Sequence, residues 1–300
     1  MNRPATDRTA WFYALFLLSG ASALIYQVLW LRKFTLVLGN SLYSASVVLA
    51  AFMCGMALGS WLIGKRSARI ADPVRLYALL EAGVGLSALL LTFAIVPLGS
   101  LLARVHGASA GSLFQLTLFR LAVAFIVLIV PTSLIGGTLP VITTFLTRKS
   151  EQLGRRVGYL YGWNTLGAVA GSLATGFWLL SAFGMNITLY IAVAVSLAAA
   201  VGALILRALP GGNFTGRESG EDRRPASGIK QDNPGAQPRN KYILAVAFLN
   251  GAVALACEVI WGRFLSFILR NELYGYSLML AAILLGITPV SYTHLTLPTN

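Results

Sequence analysis

The chain has 300 residues, 57% of them hydrophobic and only 11% charged, with a mean hydropathy of +0.74. So few charges exclude an ordinary soluble domain and point to a polytopic membrane protein. The formal net charge of +13 would suit a nucleic-acid partner, but the cations are placed as they are in a protein oriented across a bilayer.

An apolar run of about 20 residues is enough to cross a hydrocarbon core. In chain order such runs fall near Trp11–Leu31, Tyr43–Leu62, Leu76–Val96, Phe114–Leu134, Tyr159–Leu180, Ile187–Leu206 and Tyr242–Phe264. An eighth begins near Leu273. With a cytoplasmic N-terminus, the inside segments carry Arg3, Arg8, Lys65, Arg66, Arg69, Arg75, Arg148, Lys149, Arg155 and Arg156. They also carry the seven basic residues between Arg207 and Lys241, which makes 17 of the 23. The outside segments hold only Arg32, Lys33, Arg104, Arg263 and Arg270, and Arg120 lies within a span. This positive-inside pattern predicts a multi-pass membrane protein with its N-terminus cytoplasmic, with the lipid bilayer as its partner and no nucleic acid. The first span is too long for the apolar core of a signal peptide, and no small-residue cleavage site follows it.

The first span closes on Gln27-Val28-Leu29-Trp30-Leu31-Arg32. Trp30 at headgroup level with Arg32 reaching outward would make an interfacial anchor. Gly55 and Gly59 give the second span a small-residue stripe for close helix approach. Glu81, near the inner end of the third span, either meets Arg75 and the basic loop or lines a cavity. Arg120 in the fourth span either snorkels or contacts a substrate. The fourth span runs on as PTSLIGGTLPVITTFL, where Pro131, Gly136, Gly137 and Pro140 predict a helix break. Such breaks mark transporter binding sites, or else a packing kink. In the fifth span Gly167, Gly171 and Thr175 form one small-residue stripe, and Ala168, Ser172 and Gly176 form its neighbour. Asn164 adds an amide that needs partners.

Residues 208–240 are rich in Gly, Pro and charge, and are predicted to be a flexible cytoplasmic linker. The Asn213-Phe214-Thr215 sequon inside it carries no meaning on the cytoplasmic side. The seventh span then repeats the opening motif as Glu258-Val259-Ile260-Trp261-Gly262-Arg263. Glu258 is an acid within an apolar helix, and intramembrane acids are functional-site candidates. It could pair with Arg263 or Arg120, bind a cationic substrate, or relay a proton.

That repetition extends over 36 residues at a constant offset of 231 positions. Residues 20–55 and 251–286 are identical at 16 places, among them Trp30/Trp261, Arg32/Arg263, Asn40/Asn271, Tyr43/Tyr274 and Ser46/Ser277. A fixed offset indicates duplicated architecture. Six spans precede the second copy, an even number, so the first helix of each copy enters from the same side and the repeat is parallel, as in major-facilitator transporters. The predicted fold is therefore all-α and major-facilitator-like: a six-helix half (1–207), the linker (208–240), and the first one to two helices of a second half (241–288). The last segment, 289–300, resembles the in-frame translation of a sequencing adapter. It is expected to be an artefact, with the rest of the second half missing and the chain inactive alone.

No Ser/His/Asp set, Walker loop, dinucleotide fingerprint or Cys/His cluster is present, so neither a catalytic residue, a cofactor nor a metal is expected in this chain. Cys54 and Cys257, each within a predicted helix, are too few for a disulfide framework. Taken together, SGASALIYQVLWLRK, AAFMCGMALGSW, RLYALLE, GGTLP and GYLYGWNTLGAVAGSLATGF resemble the membrane portion of bacterial fused major-facilitator/spermidine-synthase proteins. The resemblance covers about Ser19 to Gly286. Two departures are Gln27, where that family typically has Glu, and the loop Gly64–Arg69, which lacks the superfamily's usual acid. The resemblance implies a soluble synthase domain after the membrane part. That domain would transfer an aminopropyl group from decarboxylated S-adenosylmethionine to a diamine, and its motifs match nothing in these 300 residues. The expected function is a transporter-like module for polyamines or related cations. The alternatives are a plain permease and a non-transporting anchor for a synthase.

Overall fold

The computed structural model describes residues 6–38, 41–66, 70–108, 113–147, 153–209 and 237–296, with only the backbone described near several helix ends. Among these residues there are helices and no strand. The helices are α1 (Thr6–Leu38), α2 (Ser41–Arg66), α3 (Pro73–Ala108), α4 (Leu113–Thr147), α5 (Leu153–Ala174), α6 (Leu180–Ala208), α7 (Gln237–Leu269) and α8 (Glu272–Thr296). A chain this apolar has no other way to satisfy its backbone in lipid, because a helix bonds every N–H and C=O within itself.

Six apolar stretches among the described residues are long enough to cross a membrane. One of them, Val157–Ala208, is 52 residues long and would measure about 78 Å if straight. It is not straight. A π-helical turn at Thr175–Leu179 joins α5 to α6, and Gly184 then adopts φ 72°, ψ 179°, a backbone conformation that side-chain-bearing residues avoid.

Two buried clusters show how the first six helices run. One gathers Phe12 and Phe16 from the start of α1, Tyr77 from the start of α3, Ile142 from the end of α4, Leu160 from the start of α5 and Leu206 from the end of α6. The other gathers Trp30 and Phe34 from the end of α1, Phe52 from α2, Leu128 from α4, and Leu179 and Leu189 from either side of Gly184. Starts thus meet ends in strict alternation, and the chain reverses at Gly184 between a fifth and a sixth span, as the hydropathy predicted. The same alternation puts Lys65, Arg66, Arg75 and Arg207 at one end of the bundle, where Arg207 Nε pairs with Asp72 at 2.5 Å. The linker core (210–236) and the basic residues Arg3, Arg69, Arg148 and Lys149 lie outside the described residues.

Close backbone approach holds the bundle together. A Cβ on Gly167 would stand 1.9 Å from the Leu17 carbonyl oxygen, and one on Gly171 would stand 2.3 Å from that of Ala21. Their stripe packs α5 on α1. The neighbouring stripe faces α8, where the Ser172 hydroxyl donates to the Ser277 carbonyl at 3.1 Å.

The expected interruption of the fourth span is not found. α4 is continuous helix through both prolines. Pro140 has no N–H to offer the Gly136 carbonyl four residues earlier, and the Ser60 hydroxyl of α2 donates to that carbonyl at 2.7 Å instead. Gly136 lies against the Met56 backbone, so α2 supplies what Pro140 removes.

α1 and α7 share a motif but not an environment. Within its apolar window α1 is 72% buried, and α7 is 6% buried. Trp30 is therefore a core residue with no exposed surface, stacked on Tyr26 at 5.5 Å, not the headgroup anchor expected. Trp261 is 55% exposed. The difference comes from neighbours: α2, α5 and α6 surround α1, whereas α7 lies on α8 and touches α2.

Candidate functional site

Where α1, α2, α7 and α8 come together they line a partly open pocket. Its walls come from the same register positions of the two repeated segments. Leu31 and Gly262, Arg32 and Arg263, Thr35 and Ser266, and Ala45 and Tyr276 all line it, and each pair is 231 positions apart. Leu49, Val259 and Leu273 add apolar surface, and Glu258 and Glu272 add the acids.

Glu258 is the most constrained group here. It is 8% exposed, and its Oε1 has no hydrogen-bond partner. A carboxyl group out of water without a donor is costly, and nothing in its own helix relieves it. Arg263, five residues on, is turned to Glu272 at 3.7 Å. Among the described residues no ion pair reaches Glu258 or Arg32. The side chain of Arg120, the other partner considered for Glu258, lies outside the described residues.

Gln27 occupies in α1 the register position that Glu258 holds in α7, and it reaches the same site. Its Nε2 donates to the Tyr276 hydroxyl at 3.1 Å. The phenolic proton of Tyr276 is then available as a donor inside the pocket that Glu258 lines. Tyr276 was not among the expected residues. The only signal for it is that the second segment replaces Ala45 by a tyrosine.

The fold holds α8 in place through Asn271, whose Oδ1 accepts from the backbone N–H groups of Leu273 and Tyr274 at 3.0 and 3.3 Å. This is an N-cap, the reason Asn suits the position. Its repeat partner Asn40 lies outside the described residues. On the far face of α8, Tyr274 stacks on Phe177 of the π-helical turn at 4.9 Å.

Glu81 is elsewhere. It is 2% exposed between α1 and α3, where the Ser19 hydroxyl donates to its Oε1, while Arg75 is exposed at the bundle end. Neither the Arg75 pairing nor a place in the walls of the pocket between α1, α2, α7 and α8 is observed. Ser19 was missed because a lone serine in an apolar helix carries no signal. Asn164 is half-buried, with its backbone and side-chain oxygens against Gly20 of α1. The described residues thus bring together Gln27, Arg32, Glu258 and Arg263, and leave Glu81, Asn164 and the prolines and glycines of α4 in other packing contacts. No group of three or more metal-ligating side chains occurs among them.

No family model matches the chain, and no curated protein matches it.

Proposed function

We propose that this chain is a transporter-like integral membrane module that binds a small ammonium-bearing solute, a polyamine or a related cation, at Glu258. The observation that carries the reading is a buried carboxyl group with an unpartnered oxygen, in a pocket between the two repeated segments. A binding site between repeats near mid-membrane is the usual plan of secondary transporters. An ammonium group would supply the charge and hydrogen bonds that Glu258 lacks.

The motifs quoted above support placing this module in a spermidine-synthase-related fusion of the bacterial inner membrane, its N-terminus cytoplasmic and a synthase domain following. The test is accumulation of labelled putrescine and spermidine by cells expressing the native gene. Glu258→Gln, which keeps size and removes charge, is expected to lower accumulation to the level of empty cells. Undiminished uptake would remove Glu258 from the mechanism. No uptake with the unaltered protein would remove polyamines as its solutes and leave either another ammonium-bearing solute or a non-transporting anchor.

A further inference from the structure

The charges around the pocket narrow the chemistry of its occupant; this step rests on the reading of the pocket as a binding site. Four charged side chains line it: Arg32, Arg263, Glu258 and Glu272. Arg263 and Glu272 pair with each other at 3.7 Å, both of them exposed. That leaves one cation, Arg32, and one anion, Glu258, both on the pocket and joined neither to each other nor to any other charged group among the described residues. Leu31, Leu49, Val259 and Leu273 form apolar wall around them.

We infer that the solute at Glu258 is a zwitterion with an apolar body, of the chemical class of a neutral amino acid, which keeps the ammonium site there and takes the place of the polyamine. The ammonium would meet Glu258 with the Tyr276 hydroxyl beside it, and the carboxylate would meet the Arg32 guanidinium, whose planar fork suits a carboxylate bidentately. Each bond is charge-assisted, and the one to buried Glu258 lies among apolar side chains, where the lower dielectric strengthens it. A plain diamine satisfies Glu258 but turns its second ammonium toward Arg32 and the same apolar wall. A plain carboxylic acid satisfies Arg32 and faces Glu258. Only a ligand with both signs offers a counter-charge to buried Glu258 and to exposed Arg32 alike.

The test uses the protein in phosphatidylcholine nanodiscs, with binding measured by calorimetry and by the shift in melting temperature. Four probes share the comparison: leucine, 3-methylbutylamine (the same body without the carboxylate), 4-methylpentanoate (without the amine) and putrescine. Leucine is expected to bind about tenfold or more tightly than each of the others, since each lacks one charge-assisted contact. Arg32→Gln should erase the preference for leucine over the amine, and Glu258→Gln the preference over the acid. Both variants should keep a cooperative melting transition. Amine or putrescine binding as tight as leucine, unchanged by Arg32→Gln, would overturn the zwitterion and leave the cation site standing. Absence of binding by all four would overturn both. Phosphatidylethanolamine carries the same pair of charges in its headgroup. If adding it to the discs abolishes the leucine effect, the site belongs to that lipid, and the amino-acid assignment fails.

Discussion

A carboxyl group removed from water needs a donor or a cation, and Glu81 has the Ser19 hydroxyl. Ser19→Ala would leave Glu81 short of a donor at a cost of about 1–3 kcal/mol, seen as a lower melting temperature in detergent. Glu81→Gln keeps an acceptor for Ser19 and should cost less. No loss from Ser19→Ala would show that the contact contributes nothing. Glu258 is the opposite case: its unpartnered Oε1 is a stability defect that only a bound group would repair. Proteins keep such defects where function requires them.

Among the elements, α2 and α4 are the most tightly engaged pair, and their contact depends on what proline removes. The Ser60 hydroxyl meets the carbonyl of Gly136, which lost its helical partner because residue 140 is proline. Ser60→Ala should therefore cost about 1 kcal/mol. In a Pro140→Ala background, where the helix regains that bond, the cost should shrink. A double-mutant cycle on melting temperatures measures the coupling, and additive effects would show that Pro140 and Ser60 act independently. The fifth helix works by small residues instead, with Gly167 and Gly171 on α1 and Ser172 on α8.

For the molecule as a whole, the distribution of basic residues makes the orientation testable. A fluorescent protein inserted between residues 210 and 236 should fluoresce, and alkaline phosphatase inserted there should be inactive, if the basic end of the bundle faces the cytoplasm. The reverse pattern would invert the topology. The spans, their alternation and the small-residue stripes were legible in the sequence because hydropathy and spacing are local properties. The different fates of Trp30 and Trp261 were not, since one motif serves in a surrounded helix and a peripheral one. Nor was Tyr276, because its meeting with Gln27 joins residues far apart in the chain. The helix break expected at Pro131 and Pro140 failed for the same reason: the compensating hydroxyl belongs to another helix.

The reversal at Gly184 leaves the fifth and sixth spans almost no loop. Between Arg156 and Arg207 there is no lysine or arginine, so trypsin has nothing to cut in the whole hairpin. Digestion would release it as one peptide, Val157–Arg207, carrying two membrane crossings and the turn between them. The unit that packs on α1 on one side and on α8 on the other is thus also a single piece for chemical isolation, and one that mass spectrometry would count as a single mass.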